Sequence, residues 1–579
     1  MGRLVAHNLR GNARLCAILA PIMMFVEVIM DLQQPTLMSR IVDVGVVHRN
    51  VGYVTATGFV MVLCAAIGLI SGVANASMAS YSSVAMSGGM RENLFHKIQT
   101  LSYAEIDGFT TSSLITRLTN DVSQIQNMFL RLLRGMVKAP LTCVGGIAMS
   151  FLLSPRLALV FCIILPVILA FVVVVVRRSV PLYSQMQAWL DGVNVVMRES
   201  LLGVRVVKAF SMEARRRERF RTVNRSLTET SIQAQTLTFT LMPVVTLLMN
   251  VSVVAILWFG GAMVMSGDLE TGRIMAFVNY MVQIAGSLVM LVNVIVNISR
   301  AQASATRVNE VMSCEPSIRD NGRNCRPQGY DIEFRKVSFR YASSSRDVLS
   351  GLSLRIKEGS TVAIVGATGS GKSTLVSLIP RLYDSQSGQV LIGGCDVRDI
   401  PLSVLRHDVG IVLQEDVLFE GTIEDNMKFG SQSAGTQDIE FALKSAQAWD
   451  FVERNPAGIE AGVEQRGKNF SGGQKQRLSI ARTLIKHPKI LILDDSSSAL
   501  DFATEARLHE RIRDRAASST VIVIAQRISG VMDADEIIVL DHGGIVARGN
   551  HRQLLHDSPE YRAIAVSQLG EEVLSGVAA

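Results

Sequence analysis

The chain has 579 residues, of which 49% are hydrophobic and only 18% are charged. This length exceeds one ordinary core, so at least two domains are expected, and the composition indicates a membrane protein. The net charge of +7 does not indicate a nucleic-acid-binding face, because the arginines flank apolar runs, as at Arg177–Arg178 and Arg215–Arg221. That placement is typical of positively charged cytoplasmic loops, so no nucleic acid is expected as a partner.

Six apolar runs of membrane-crossing length all fall in the first half of the chain. The first run is too long for a signal peptide and lacks a cleavage pattern, so it is expected to stay as a span. The runs lie near residues 14–38, 52–78, 134–153, 157–176, 241–265 and 274–298. They predict an all-α, six-helix transmembrane domain over residues 1–300 that is surrounded by membrane lipid.

The connections between these spans alternate in length. The turn at 154–155 is short, whereas the connections at 79–133 and 177–240 are long, polar and helical in pattern. The long connections are rich in Arg and Lys, which indicates that they are cytoplasmic. With six spans, both termini are then also expected in the cytoplasm.

The seven cysteines are scattered along the chain without a CxxC pair. Those within apolar runs are Cys16, Cys64, Cys143 and Cys162. The pattern predicts neither a disulfide framework nor a zinc site.

The character of the sequence changes after the sixth apolar run. Residues 301–330 are polar and are predicted to be a linker. Beyond them, short Val/Ile-rich strands such as Thr361–Gly366 and Lys489–Asp494 alternate with helical stretches. This alternation favours an α/β domain with a parallel sheet over residues 331–569, followed by a tail at 570–579.

The segment Gly366–Thr374, GATGSGKST, directly follows a predicted strand and fits the phosphate-loop pattern G-x-x-x-x-G-K-[ST]. Its glycines let backbone N–H groups close around phosphates. Lys372 is expected to reach the β and γ phosphate oxygens, and the Ser373 hydroxyl is expected to bind Mg²⁺. The spacing is a specific signal for a nucleoside triphosphate site.

Two later segments add to this site. The strand Lys489–Asp494 delivers Asp494 at its end, where the carboxylate can support the Mg²⁺ shell. Ser471, Gly472 and Gly473 open a helix, and the free N–H groups of a helix N-terminus bind anions. Because the domain already has a phosphate loop, a second anion site suggests a nucleotide that is held by another copy of the domain.

The phosphate loop, the SGGQ segment and Ser498–Asp501 (SALD), in this order, resemble an ATP-binding cassette (ABC) domain, here called the cassette. The segments Thr111–Val122 and Arg198–Phe210 resemble loops of exporter-type ABC transporters, in which six helices are fused to one cassette. The resemblance covers essentially the whole chain and is closest in kind to half-transporters of bacterial heterodimeric multidrug exporters. It implies ATP and Mg²⁺ as ligands, the bacterial inner membrane as location, and cassettes that pair head to tail.

The resemblance also implies roles for matching residues. Tyr341 would stack on adenine, with a core aromatic of a strand as the alternative. Gln414 would join Ser373 and Asp494 around Mg²⁺. Asp501 would cross the interface between cassettes. The residues expected to contact nucleotide are Tyr341, Gly366, Thr368, Gly369, Ser370, Gly371, Lys372, Ser373, Thr374, Gln414, Phe470, Ser471, Gly472, Gly473, Gln474 and Asp501.

Two catalytic positions depart from the family pattern. The glutamate that usually follows the strand aspartate is replaced by Asp495, and the usual switch histidine is replaced by Gln526. Asp is one methylene shorter than Glu, and misplacing a catalytic group by about 1 Å can cost roughly 100-fold in rate. Gln cannot become cationic against developing negative charge. Both changes favour nucleotide binding without efficient hydrolysis at this chain's own phosphate loop.

The SGGQ signature is intact apart from Phe470, where leucine is common in the family. The chain is therefore expected to weaken its own site and to complete the site of a different subunit, as half of a heterodimer that exports hydrophobic or amphipathic small molecules. A slow homodimer, an importer of the same fold and a non-transporting ATP-gated sensor are the alternatives.

Polar residues within the spans are candidate substrate contacts. Glu27 and Asp31 lie one helical turn apart in the first span, where they could meet cationic substrates or bond neighbouring helices. In the sixth span a polar stripe at helical spacing favours a cavity or another helix over lipid. Its main members are Asn279, Gln283, Asn293 and Asn297.

Overall fold

The computed structural model describes residues 2–342, 344–496, 499–516 and 519–569, except for the side chains of 291–300, 502, 514–516, 529 and 569. Its internal contacts divide the chain into two compact units. The first unit comprises Met1–Lys97 and Ser112–Ser313, and the second comprises Ile98–Thr111 and Cys314–Ala579.

Residues 2–313 are almost entirely helical. The helices are α1 (Gly2–Asn8), α2 (Gly11–Arg40), α3 (Val51–Thr100), α4 (Tyr103–Phe109), α5 (Thr111–Thr116), α6 (Val122–Leu153), α7 (Pro155–Leu202), α8 (Val204–Ala209), α9 (Glu213–Phe239), α10 (Leu241–Met265) and α11 (Thr271–Ser313). Two π-helical segments, Ile41–Val46 and Arg117–Asp121, follow α2 and precede α6. Helices predominate because an apolar environment leaves backbone N–H and C=O groups no partner outside the segment.

Six helical stretches within the described residues are long and apolar enough to cross a membrane, which confirms the predicted all-α transmembrane domain. They are Gly11–Val46, Val51–Thr100, Thr111–Leu153, Pro155–Leu202, Glu213–Met265 and Thr271–Met290. The helix α11 continues to Ser313, so residues 301–313, which the sequence assigns to the linker, are helical. Their Ala, Arg, Glu and Met residues are good helix formers, which explains why polarity alone does not end the helix.

Aromatic residues organise the core of the first unit. The rings of Phe161 on α7 and Phe277 on α11 stack at 5.7 Å between centroids. Tyr280 is fully buried, and its hydroxyl donates a 2.6 Å hydrogen bond to the carbonyl oxygen of Leu32. A buried phenol needs such a partner, so this bond fixes α11 against α2.

The second unit alternates strands and helices. In chain order they are β1 (Ile332–Phe339), β2 (Leu349–Ile356), β3 (Thr361–Val365), α12 (Lys372–Ser377), β4 (Ser387–Ile392), β5 (Cys395–Asp396), α13 (Leu402–Asp408), β6 (Val409–Val412), β7 (Gly421–Thr422), α14 (Ile423–Lys428), α15 (Thr436–Ser445), α16 (Trp449–Glu453), β8 (Gly462–Val463), α17 (Gly472–Leu484), β9 (Ile490–Asp494), α18 (Phe502–Ala516), β10 (Thr520–Ile524), β11 (Glu536–Asp541), β12 (Gly544–Gly549), α19 (His551–Asp557) and α20 (Pro559–Leu569).

The central sheet has the strand order β12-β11-β3-β10-β9-β6. The strands β11, β3, β10, β9 and β6 pair in parallel, and β12 is antiparallel at one edge. The strands β9 and β10 are buried along their whole length, as expected for apolar strands that are covered on both faces. This confirms the predicted α/β domain, and it collects the carboxyl ends of β3, β6, β9 and β10 at one edge. A second sheet has the order β2-β1-β4-β5.

Cys325 and Cys395 form a disulfide, so the expectation of no disulfide is wrong. The two residues are 70 positions apart, and their Cα atoms lie 6.0 Å from each other. The backbone N–H of Cys325 donates to the carbonyl oxygen of Asp399, which holds the segment before β1 beside β5. Such a distant pairing depends on the fold and has no local spacing signal.

The helix α4 belongs to the second unit, although its neighbours in sequence belong to the first. The hydroxyl of Tyr383 donates a 2.7 Å hydrogen bond to the carboxylate of Asp107 on α4. The ring of Tyr103, at the start of α4, lies 6.0 Å from the ring of Tyr383. A polar bond and an aromatic contact thus seat this short helix on the α/β domain.

Candidate nucleotide site

The phosphate loop connects β3 to α12 and has the backbone that its glycines allow. Gly366 has φ of 151°, and a Cβ atom there would lie 2.1 Å from the carbonyl oxygen of Leu540. Gly371 has φ of 101° and precedes Lys372, where α12 begins. No other residue fits at Gly366, so packing against strand β11 is by itself a reason for glycine at this position of the motif.

Lys372 lies over the loop from which it projects. Its Nζ donates to the carbonyl oxygens of Gly366 at 2.9 Å and Ala367 at 2.8 Å. Burial lowers the pKa of Lys372, whereas the nearby Asp494 and Asp495 act to raise it. The Oγ of Ser370 is buried and has no hydrogen-bond partner among the described residues. An orphaned hydroxyl and a cation above a glycine loop fit a bound phosphate chain.

Two oxygen atoms converge where the sequence predicts a Mg²⁺ site. The Oγ of Ser373 donates a 2.9 Å hydrogen bond to Oδ1 of Asp494, at the end of β9. Burial raises the pKa of Asp494, and the bond from Ser373 opposes that shift. Hydroxyl and carboxylate oxygens are the ligands that Mg²⁺ prefers, so these residues fit the ion. Gln414, after β6, instead donates its Nε2 to Asp495 at 3.4 Å.

The two unusual residues of the sequence contact each other. Gln526, which follows β10, donates its Nε2 to Oδ2 of Asp495 at 2.7 Å. Burial raises the pKa of Asp495, while the bonds from Gln414 and Gln526 and the charge of Lys372 act to lower it. Oδ2 of Asp495 therefore accepts hydrogen bonds from two side-chain amides.

The signature segment begins the helix α17. The Ser471 Oγ accepts a hydrogen bond from the N–H of Gln474, and the Gln474 side chain accepts one from the N–H of Ser471. This capping box fixes the helix N-terminus and leaves the backbone N–H groups of Gly472 and Gly473 at its opening turn. The ring of Phe470 packs toward Phe451 at 6.2 Å, so this departure from the family pattern is absorbed by the core.

Other predicted residues lie around this edge of the sheet. Tyr341 donates or accepts a 3.0 Å hydrogen bond with Thr374, and its ring meets those of Phe339 and Tyr383 edge-on. Asp501 caps α18 by accepting bonds from the N–H and hydroxyl of Thr504. Thr368 and Gly369 are exposed at the tip of the phosphate loop.

The polar residues of the spans have partners that the sequence does not reveal. Lys138 on α6 lies 2.5 Å from a carboxylate oxygen of Glu27 and 3.4 Å from one of Asp31. Asn279 is exposed and bonds to the backbone of its own helix, whereas Gln283 is half-buried with its Oε1 unpaired among the described residues. The side chains of Asn293 and Asn297 lie outside the described residues.

Sequence reasoning missed Lys138, Asp107 and Tyr383. Lys138 had a signal, because it interrupts the apolar run of the third span and a lone charge there requires a partner. Asp107 and Tyr383 had none, since an exposed Asp and a Tyr are ordinary in any loop.

A membrane domain followed by a phosphate-loop α/β domain defines a class, that of membrane-bound ATPases. Residues 17–288 match the family of the ABC transporter transmembrane region, and residues 349–498 match the ABC transporter family. The chain belongs to the ABC transporters, as a half-transporter of the exporter type. Its cassette binds ATP and is cytoplasmic, and its helices cross the inner membrane.

Known proteins of this kind match over most of their length. The "Uncharacterized ABC transporter ATP-binding protein YfiB" of Bacillus subtilis is 40% identical over 96% of this chain and 97% of its own. An "ATP-dependent lipid A-core flippase" of Syntrophus aciditrophicus is 33% identical over 83% of this chain and 80% of its own. The structure of a bacterial Atm1-family ABC exporter with ATP bound superimposes with a TM-score of 0.80 at 27% identity, covering 96% of this chain and 99% of that one.

Proposed function

We propose that this chain is the weak-site half of a heterodimeric exporter of hydrophobic or amphipathic small molecules. The observation that carries the proposal is the 2.7 Å hydrogen bond between Gln526 and Asp495, in a chain whose signature at Ser471 is intact and capped. The chain keeps the signature that completes its partner's site, and it lacks the glutamate and the histidine that its own site would need. The relative that is named a lipid A-core flippase supports an amphipathic substrate.

The residues of this chain divide into those that hold ATP and those that act on it. The phosphate loop and Lys372 would hold the phosphates, and Ser373 and Asp494 would hold Mg²⁺; Gln414 donates to Asp495. Mg²⁺, when bound, neutralises charge that develops on the phosphate oxygens. The water that attacks the γ-phosphate needs a base within hydrogen-bond reach, and Asp495 is both short and bonded to Gln526. Hydrolysis therefore takes place chiefly at the partner's phosphate loop, against this chain's α17.

The test uses two substitutions in this chain, purified with its partner half-transporter. Gly472→Asp places a carboxylate at the N-terminus of α17, where a Cβ atom meets only ordinary contact with Ala499 at 3.5 Å. The fold should accept it, because acidic residues are favourable at this helix end, but it should repel the partner's nucleotide. Lys372→Ala weakens this chain's own site only. We expect ATPase turnover to fall about 100-fold for Gly472→Asp, and far less for Lys372→Ala.

The comparison discriminates between unequal and equal sites. In a homodimer both substitutions affect both sites, so both should abolish turnover alike. Equal losses would therefore contradict the heterodimer. Circular dichroism and thermal unfolding of each variant serve as the controls for folding.

A further inference from the structure

A cavity of about 430 Å³ lies in the first unit, where α2, α6 and α11 meet. Part of its wall is apolar and is formed by Met24, Leu130 and Met290. The volume falls within the range of small-molecule sites. Methionine side chains are flexible, so this apolar wall can adapt to ligand chains of different shapes.

The rest of the wall is charged, and the charges do not balance. Lys138 is engaged by Glu27 and by Asp31, at 2.5 and 3.4 Å. Arg131 and Arg134 also line the cavity, and neither guanidinium has an ion pair with a described residue. The three cations Lys138, Arg131 and Arg134 thus outnumber the two carboxylates, and both carboxylates contact Lys138.

The cavity extends from the cytoplasmic boundary of the hydrocarbon region into that region. From Arg134 to the end of α6 at Leu153, the helical rise gives about 28 Å, nearly the whole hydrocarbon thickness of about 30 Å. The two arginines therefore lie near the cytoplasmic boundary, and Lys138 lies deeper. Lys138, inside the hydrocarbon region, needs an anionic partner and has Glu27. Arg131 and Arg134 lie at the level where the anionic head group of an amphiphile is found.

An acidic head group supplies that partner, and an apolar chain fits the remaining wall. Guanidinium groups bind carboxylate or phosphate in a bidentate manner, which a cationic or neutral ligand cannot match. Glu27 and Asp31 both contact Lys138, which offsets one of their two charges, and with Arg131 and Arg134 the whole group keeps a net positive charge.

We propose that the α2–α6–α11 cavity binds a membrane-soluble anion, with a carboxylate or phosphate head on Arg131 and Arg134 and an apolar chain against Met24 and Met290. This rests on the proposed export of amphipathic molecules and names their charge. Glu27 weakens the binding of the anion, because it competes with the anionic head group for Lys138.

The test is photolabelling of the full-length chain with its partner, in nanodiscs of phosphatidylcholine and without nucleotide. The probes are a diazirine-bearing palmitate, a diazirine-bearing phosphatidylglycerol and a diazirine-bearing hexadecylamine. Label on α6 is measured by peptide mass spectrometry. Preference for palmitate identifies a single-chain acid, and preference for phosphatidylglycerol identifies a lipid; both support the anion site. Equal labelling by the amine would overturn it.

Three variants make the result specific. Arg131→Gln with Arg134→Gln should lower anion labelling about tenfold, while Arg177→Gln with Arg178→Gln, an exposed basic pair outside the cavity, should leave it unchanged. Equal losses in both pairs would reduce the effect to general surface charge and overturn the proposal. Glu27→Gln should increase labelling about threefold by freeing Lys138. Misfolding cannot produce that gain, and a decrease would also overturn the proposal.

Export is measured separately, as ATP-driven movement of palmitate and of a neutral amphiphile across the same membranes. Labelling of the cavity without any export would overturn the proposed function and leave the site intact. Export of the neutral amphiphile alone, without labelling by either anion, would overturn the site and leave the proposed function intact.

Discussion

Asp495 has an unusual backbone as well as an unusual side chain. Its φ of 50° lies in the left-handed region, which Asp tolerates better than Glu because its short side chain can bond locally. Its own N–H donates to the carbonyl oxygen of Ile524, which holds the turn after β9 against β10. The residue is thus fixed by the sheet at a point where a longer side chain would reach further into the site.

Restoring the family residues should restore hydrolysis at this site. Asp495→Glu with Gln526→His extends the base by one methylene and supplies a group that can become cationic. We expect ATP turnover at this chain's phosphate loop to rise about 10- to 100-fold, measured with the partner's own base removed.

A third substitution checks where the gain arises. Lys372→Ala, added to the restored chain, should remove it. No rise in the restored chain would mean that some element other than Asp495 and Gln526 keeps the site slow.

His551 and Tyr561 form a buried pair that sets the pH limits of the C-terminal helices. The His551 Nδ1 and the Tyr561 hydroxyl are 2.7 Å apart, and the His551 Nε2 has no partner among the described residues. Burial lowers the pKa of His551 from 6.5 and raises the pKa of Tyr561 from 10.0 to about 12. Both residues are therefore held neutral.

The sign of the pH effect follows from which state binds more protons. Below about pH 6.5 the unfolded state protonates His551 more readily, so the free energy of unfolding should fall as the pH decreases. Above about pH 10 the unfolded state loses the Tyr561 proton first, so the free energy of unfolding should fall as the pH rises toward 12. Between these limits the pair stabilises α19 and α20 fully.

Hydrogen exchange of residues 551–569, corrected for intrinsic rates, measures this stability. Exchange should increase on acidification from pH 7 to pH 5, and His551→Asn should remove most of that increase. An unchanged acid response in His551→Asn would assign the effect to other groups.

At the scale of elements, the sequence predicted most of what local patterns can encode. Apolar length predicted the spans, and the strand-loop-helix order predicted that Ser373 and Asp494 would lie at the same edge of the sheet, where they are hydrogen-bonded. It missed the partners that only three-dimensional packing selects, such as Lys138 for Glu27 and Cys395 for Cys325. The polar composition after residue 300 was also misleading about where α11 ends, because helix propensity and polarity are independent properties.

The disulfide joins the segment before β1 to β5, and it should stabilise the α/β domain. A link that closes a loop of this length typically contributes about 2–4 kcal/mol. Thermal unfolding should therefore shift to lower temperature on adding dithiothreitol, and Cys325→Ser should be insensitive to the reductant.

Because disulfides are rare in the cytoplasm, its formation there depends on oxidising conditions. Mass spectrometry of alkylated peptides, without reduction, reports the linked pair directly. If the wild type and Cys325→Ser melt alike under both conditions, the bond makes no contribution to stability.

At the scale of the whole molecule, the proposed inequality of the two sites predicts a second, different chain. A tagged copy of this chain, expressed with a half-transporter that carries Glu and His at the positions of Asp495 and Gln526, should purify as a one-to-one complex. The pair should hydrolyse ATP at least about tenfold faster than this chain alone, because only the pair contains a full base and switch. A stable homodimer with equal turnover would contradict this assignment.

The position of α4 has a consequence for how such genes can be recombined. Fourteen residues that are encoded between two spans fold with the cassette, through Asp107 and Tyr103 against Tyr383. A chimera that exchanges only the continuous stretch after residue 313 would bring a foreign surface to this helix. The structural unit that contains the cassette is therefore encoded in two separate stretches. A cassette exchanged between relatives should carry residues 98–111 together with the C-terminal stretch.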